Sequence, residues 1–208
     1  MDYKKLMKLK GPVMERTYTD RDTMLYALGL GVGADPMNRD ELLFVYEKGL
    51  RTLPTMATVL TWADHWLTEA GVDFVKVVHG EQRMTIHRPL PSAATVRTTV
   101  RVIDAFDKGA DKGALILTEN ATVLADTGEP LCTGVSTTFA RGDGGFGGKP
   151  GPAPQPHPLP DRKPDFSCVR KMLPQAALIY RLSGDYNPLH SDPDLAAEAG
   201  FDRPILHG

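Results

Sequence analysis

Long apolar runs are missing from this sequence, and cysteine is scarce. No segment approaches the roughly 20 apolar residues of a membrane-spanning helix. The amino terminus carries lysines but no apolar stretch, so we expect no secretory signal peptide. The two cysteines, Cys132 and Cys168, form no metal or redox motif, and the net charge of −2 gives no basic patch for nucleic acid. These features are typical of a globular protein in a reducing cytoplasm.

Proline and glycine are unevenly distributed, and their densest stretch divides the chain. Six glycines lie between positions 142 and 151, and every second residue from 150 to 160 is proline. Such a stretch cannot form a packed helix or strand. It predicts a linker over residues 142–162, between a first domain at 1–141 and a second segment at 163–208.

The first domain combines helical and extended patterns. Residues 20–30 and 58–70 have helix start and stop signals. Residues 95–106, 114–124 and 131–140 are rich in β-branched side chains and are separated by short turns, which predicts an antiparallel meander. A helix that covers one face of such a sheet gives a layered α+β architecture.

The most informative segment is a short loop near the carboxyl end of the sequence. It holds Asp185, Asn187 and His190. Pro188 favours extended backbone at Asn187 and removes a backbone donor, so the segment must turn rather than continue as a helix. A turn can bring Asp185 and His190 together. Residues 193–199 predict a short helix, whose positive amino end would lie behind His190.

A carboxylate and an imidazole on one loop can add water to a double bond conjugated with a thioester. One group takes a proton from water, and the pair returns a proton to the α-carbon. Backbone N–H donors stabilise the charge on the thioester oxygen. From spacing alone, a structural hydrogen bond between Asp185 and His190 is the commoner explanation. A cation loop is weaker, because the calcium-loop glycine and terminal glutamate are missing.

The residues around this loop go beyond spacing. They resemble the signature of the hydratase-2 (MaoC-like) family of (R)-specific 2-enoyl-CoA hydratases, in the form found in the hydratase-2 part of peroxisomal multifunctional enzyme type 2 and in its bacterial stand-alone relatives. Further similarity extends over residues 25–34, 42–47, 53–55, 78–82, 89–91 and 144–149. The matching signature residues are Tyr180, Leu182, Ser183, Gly184, Asp185, Asn187, Pro188, Leu189, His190 and Ala196.

The resemblance implies a double hot-dog fold, in which each half wraps an antiparallel sheet around a helix. It implies reversible hydration of trans-2-enoyl-CoA to (3R)-3-hydroxyacyl-CoA, with the acyl chain housed in the first half. No cofactor or metal is expected, since CoA is part of the substrate. The alternatives are another hot-dog enzyme, such as a thioesterase or a dehydratase of sterol side chains or acyl-carrier-protein substrates, and an inactive acyl-CoA-binding protein.

The resemblance also implies roles for individual residues. Asp185 and His190 hold and activate the water, Asn187 supports them, and the amide of Gly208 belongs to the oxyanion hole. The sequence does not decide whether Asp185 or His190 is the base.

Substrate contacts are implied at seven further positions. His79 and Gly80 contact the acyl-CoA, Lys108 contacts CoA, and Glu47 matches a glutamate implicated in activity. A buried core histidine, a solvated hairpin lysine and an ordinary ion-pair partner are the alternatives for His79, Lys108 and Glu47. The remaining three expected substrate contacts lie in the loop itself: Tyr186, Pro188 and Leu189.

The second half contains about 46 residues after the linker, fewer than a hot-dog domain needs to bury its core. We therefore expect a homodimer, or completion by a second polypeptide or by further residues. A cytoplasmic location is expected, or a peroxisomal one in a eukaryote.

Overall fold

The first domain is built on one antiparallel sheet of five strands. The structure, a computed structural model, describes residues 1–63, 66–151, 153, 155, 157–169 and 171–207. The strands run in the order β1-β3-β4-β5-β2, so β1 and β2 form the two edges. Their bounds are β1 Lys10–Tyr18, β2 Val77–Ile86, β3 Ala94–Asp107, β4 Ala114–Leu124 and β5 Pro130–Ala140.

The helices are short. In sequence, α1 precedes the first strand, α2 to α4 lie between β1 and β2, and α5 and α6 follow the last strand. No helix in the described part of the chain is long and apolar enough to cross a membrane. The α-helices are α1 Tyr3–Leu6, α2 Asp20–Gly29, α3 Arg39–Leu42, α4 Ala57–Leu60, α5 Ala176–Tyr180 and α6 Pro193–Glu198. The 3-10 turns are Pro54–Met56, Trp66–Ala70, Phe74–Lys76, Arg181–Ser183 and Pro188–His190.

The predicted meander is confirmed by β3, β4 and β5, which pair as consecutive antiparallel neighbours. The predicted helix at 20–30 is confirmed as α2. A capping interaction starts it, in which the Asp22 carboxylate accepts from the backbone N–H and from the hydroxyl of Thr19, each at 2.8 Å. The short helix predicted at 193–199 is confirmed as α6, with the Asp192 carboxylate accepting from Asp194 N at its start.

The single helix predicted over residues 58–70 is wrong. α4 ends at Leu60, positions 61–63 are not helical, and a 3-10 turn begins at Trp66. Residues 64 and 65 lie outside the described residues. The Asn120 side chain on β4 explains the end of α4: its Nδ2 donates to the Thr61 carbonyl over 2.8 Å. That carbonyl would otherwise accept from the next helical turn.

The core is split into two apolar clusters on the inner face of the sheet. One cluster packs Trp66 and Leu67 against Val100 and Ile116. The other packs Tyr18, Tyr26 and the α4 side chains against Val96, Leu131 and Cys132. The break between α4 and the Trp66 turn lies between these clusters, and the cavity described below opens there.

The glycine-rich stretch begins as a packed segment. Asp107 ends β3, and its carboxylate accepts from the backbone N–H of Gly109, Gly145 and Gly147 at 2.7–2.9 Å. Lys149 then pairs with Asp104 at 2.6 Å. Residues 142–149 form no helix or strand, as expected, but this carboxylate holds them against the β3–β4 hairpin.

Candidate active site

The loop that carries the predicted acid and base is a tight turn. Gly184 has φ of 132°, a left-handed value that a side chain would disfavour. The Asp185 carboxylate accepts from Asn187 N at 3.1 Å, and the Asn187 side chain accepts from Leu189 N at 3.0 Å. These side-chain bonds replace backbone ladders and fix the directions of Asp185 and His190.

The hydrogen bond of His190 determines its neutral tautomer. Its Nδ1 lies 3.0 Å from the Ile205 carbonyl oxygen, which can only accept. Nδ1 must therefore carry the proton. In the neutral ring Nε2 is then free of a proton, and it is the atom able to take one from water.

A second histidine, His207, completes the group, and sequence reasoning missed it. Its Nε2 lies 3.2 Å from the Asp185 carbonyl oxygen and 3.8 Å from Asp185 Oδ2. Its ring stacks on His190 with centroids 3.8 Å apart, and Tyr180 packs on it at 4.6 Å. The only sequence signal was its position directly before Gly208, the expected oxyanion donor.

The surroundings of His207 lower its pKa and so favour its neutral form. Its side chain is only 6% exposed. Burial lowers its pKa, and the neighbouring His190 lowers it further, while the negative charge of Asp185 opposes both effects. A neutral His207 donates from Nε2 to Asp185, so it positions Asp185 without adding a positive charge beside His190.

The loop faces a cavity of about 490 Å³ that reaches into the first domain. Asp185, Asn187, His190 and His207 line one end of it. Strands β2, β4 and β5 and the break after α4 form the opposite walls. The apolar part of that lining includes Val59, Trp62, Trp66, Leu67, Phe74 and Val77.

His79 and Gly80, at the start of β2, both line this cavity. His79 is exposed at the cavity wall, yet the protein atoms crowded around it lower its pKa by desolvation. The negative charge of the Asp185 carboxylate, which lines the same cavity, opposes that shift in the pKa of His79. The position of His79 rules out the alternative of a buried core histidine.

Four other expected contacts do not line this cavity. Lys108 is exposed in the β3–β4 hairpin and donates to the Pro150 carbonyl at 3.2 Å. Glu47 is exposed after α3, and Pro188 is exposed at the start of its 3-10 turn. Tyr186 lines a second cavity of about 360 Å³ on the other side of the loop, with Arg181 4.7 Å above its ring.

Leu189 is buried and lines the main cavity beside His190. Gly208 lies outside the described residues, so its predicted amide contact stays a prediction.

Among the described residues, one group of side chains could hold a metal ion: Asp185, His190 and His207. One ligand atom from each lies within 4.8 Å of the others. Ligands about 2.1 Å from a tetrahedral zinc ion would lie about 3.4 Å apart, so this trio would have to contract. An acid–base pair supported by a neutral histidine needs no such movement.

Comparison with known proteins gives matches along the chain. The sequence profile of the MFE-2 hydratase 2 N-terminal domain matches residues 17–142, and that of the MaoC like domain matches residues 156–208. The chain is 44% identical to enoyl-CoA hydratase ChsH3 of Mycobacterium tuberculosis, over 95% of this chain and 70% of that protein. It is 41% identical to the peroxisomal enoyl-CoA hydratase 2 of Arabidopsis thaliana, over 98% of this chain and 71% of that protein.

A solved structure shows the same architecture. A MaoC-like dehydratase from Phytophthora capsici matches with a TM-score of 0.77 and 32% identity, over 100% of this chain and 72% of that one. The antiparallel sheet, the covering helices and the Asp–His loop at the cavity thus define a MaoC-like protein with the hot-dog fold. Within that class, the chain belongs to the MFE-2 hydratase 2 family.

Proposed function

We propose that this protein hydrates trans-2-enoyl-CoA reversibly to (3R)-3-hydroxyacyl-CoA. The convergence of Asp185, Asn187 and His190 on one cavity carries this proposal. The similarity to two enoyl-CoA hydratases, at 44% and 41% identity over nearly the whole chain, supports it.

The hydrogen bond of His190 supports one order of proton transfers. In the proposed step, a water held by Asp185 and His190 gives its proton to His190 Nε2, because Nδ1 is bound to the Ile205 carbonyl. The hydroxyl oxygen forms its bond to C3, and the electron pair of the C2=C3 bond moves toward the thioester oxygen. C2 then receives a proton from the pair, so the enzyme ends the cycle unchanged.

Two features complete the proposed mechanism. The main-chain N–H of Gly208 stabilises the negative charge on the thioester oxygen, a contribution that is typically about 100- to 1000-fold in rate. The reaction balances with water alone, so we propose no metal or redox cofactor. CoA enters as part of the substrate, and the acyl chain extends into the part of the cavity that the first domain lines.

Enoyl-CoA absorbance tests the proposal. The protein should remove the absorbance of the conjugated thioester without releasing a free thiol, and Asp185→Asn should abolish turnover while binding persists. Asp202→Asn, at an exposed position after α6, is the matched control and should be active. Thiol release would identify a thioesterase, binding without turnover would identify an acyl-CoA-binding protein, and an active Asp185→Asn variant would refute the role of the carboxylate.

The assembly and the compartment are part of the same proposal. We propose a homodimer, or completion by a second polypeptide or by further residues, and a cytoplasmic location, or a peroxisomal one in a eukaryote. Large apolar side chains of the second half are exposed and need a cover: Phe166, Val169, Met172, Leu173, Leu178, Leu182 and Leu206. Light scattering on the active protein tests the assembly, and a fully active monomer of this chain alone would contradict it.

A further inference from the structure

A row of three polar side chains crosses the cavity wall where an apolar wall would be expected. Gln82 on β2 pairs with Ser136 on β5, and Ser136 pairs with Thr118 on β4. Directly paired residues share one face of a sheet, and all three line the main cavity. We call Gln82, Ser136 and Thr118 the polar row.

The side chains of the polar row are left open to the cavity. Across the described residues, none of these three side chains has a hydrogen-bond partner in the protein. Thr98 and Thr122, on the same face of the sheet, behave differently. Their hydroxyls bond to each other at 2.7 Å, and neither residue lines the cavity. The sheet therefore satisfies its polar groups in pairs away from the cavity and leaves the polar row available.

The environment of the polar row indicates what kind of ligand group it can bind. The polar row lies between the two apolar core clusters, and Thr118 is only 6% exposed. A plain alkyl chain in the cavity would cover these hydroxyl and amide groups without offering them a partner. Covering polar groups in this way is unfavourable. A ligand oxygen at the same place would satisfy them.

The sheet register gives the distance of the polar row from the reacting atoms. His79 pairs with Thr138, and this pair lies next to the polar row along β5. His79 lines the same cavity as Asp185 and His190. Two residues along a strand span about 7 Å, so the polar row lies about 7 Å beyond His79.

We propose that the acyl group of the substrate carries a hydroxyl or keto oxygen several carbons from the thioester, and that the polar row binds it. This inference rests on the proposed hydration of enoyl-CoA. It assigns Ser136 and Thr118 as specificity-determining residues for the acyl group, and Gln82 as a third donor and acceptor. Hydroxyl and amide groups can both donate and accept, so the polar row suits either oxygen.

Matched substrates test the inference directly. trans-2-Octenoyl-CoA and its 8-hydroxy derivative differ only in a terminal oxygen. The wild-type protein should prefer the hydroxylated compound by about fivefold to thirtyfold in kcat/KM, the range of one or two net hydrogen bonds. Calorimetry on the same two compounds should show the same order in Kd.

Variants separate the polar row from the rest of the sheet. Thr118→Val with Ser136→Ala keeps the shape of the wall and removes both hydroxyls, so the preference should fall to near unity and the plain chain should improve. Thr122→Val, on the same strand and face but away from the cavity, should keep the preference. Gln82→Met, on the edge strand β2, should weaken the preference for the hydroxylated compound. This variant tests the polar row independently if the double variant folds poorly.

The outcomes distinguish this inference from the proposed function. Equal kcat/KM for both compounds, or a preference for the plain chain, would overturn the inference and leave the hydratase assignment intact. Hydration of neither compound would overturn the hydratase assignment. The two Kd values would then decide the inference alone, with equal values refuting it.

Discussion

His207 offers the sharpest test of how the site is held together, because its ring makes two separable contacts. Its Nε2 donates to the Asp185 carbonyl at 3.2 Å, and its ring stacks on His190 at 3.8 Å. His207→Phe keeps a stacking ring without the donor. His207→Gln keeps a donor without the ring, and His207→Ala removes both.

The two contacts have separate energetic costs. A buried carbonyl left without its donor costs about 1–3 kcal/mol. Loss of an aromatic pair costs about 0.5–1.5 kcal/mol beyond the buried area. We therefore expect His207→Ala to lower the free energy of unfolding by about 2–4 kcal/mol. The stabilities of His207→Phe and His207→Gln should lie between those of the wild type and His207→Ala.

Catalysis should depend more on the donor than on the ring. The Asp185 carbonyl is fixed by that donor, and a displacement of about 1 Å at a reacting group costs on the order of 100-fold in rate. His207→Phe should lower kcat by about 10- to 100-fold with little change in KM, and His207→Gln should retain more of the activity. A structural role at a distance from the site would instead leave kcat unchanged.

The pH dependence of stability gives an independent readout. The pKa of His207 is lowered in the folded protein, so below about pH 6.5 the unfolded chain takes up the proton first. Stability should therefore fall as the pH drops below that value, and His207→Phe should lack this component.

Urea unfolding and the enoyl-CoA absorbance assay measure these effects on the same preparations. His157→Gln, at an exposed position, is the control and should match the wild type. Wild-type kcat in His207→Phe, together with wild-type stability in His207→Ala, would refute the reasoning.

Two further predictions concern the first domain. Backbone N–H donation, chiefly from Gly145, lowers the pKa of the Asp107 carboxyl. The ionised carboxylate therefore stabilises the fold at pH values above its ordinary pKa of 3.8, and this stabilisation is lost as the pH falls through the lowered pKa. Asp107→Asn should lower the melting temperature at neutral pH, whereas Asp111→Asn in the exposed hairpin should not. Equal melting temperatures for the two variants would contradict the stabilising role of the Asp107 carboxylate. Burial raises the pKa of the Cys132 thiol to about 11, so mass spectrometry at neutral pH should find alkylation at Cys168 alone in the folded protein and at both cysteines in denaturant. Rapid alkylation of native Cys132 would show that this core opens.

The interior strands were predictable from the sequence, and the edge strands were not. β3, β4 and β5 have neighbours on both sides and carry strong β-branched patterns. β1 and β2 are the two edges and contain glycine, proline and charged residues, as edge strands commonly do. Neither was predicted, because their patterns resemble those of loops.

The catalytic loop was predictable because its chemistry is local in sequence. Asp185, Asn187 and His190 lie within six positions, and Pro188 dictates a turn. His207 follows 17 residues after His190 and reaches Asp185 only because the chain reverses after α6. The break in the helix predicted at 58–70 was equally hidden, since its cause is Asn120 on a distant strand.

The Asp107 anchor shortens the connection between the two halves. Because residues 142–149 are bound to the β3–β4 hairpin, the crossing effectively starts at Pro150 rather than at Gly142. The closure entropy of a loop rises with its length, by about 0.6 kcal/mol for each doubling. A shorter connection therefore raises the effective concentration of the catalytic loop at the cavity mouth. In this way the Asp107 carboxylate, which is far from the reacting atoms, influences how often the two halves of the site are in contact.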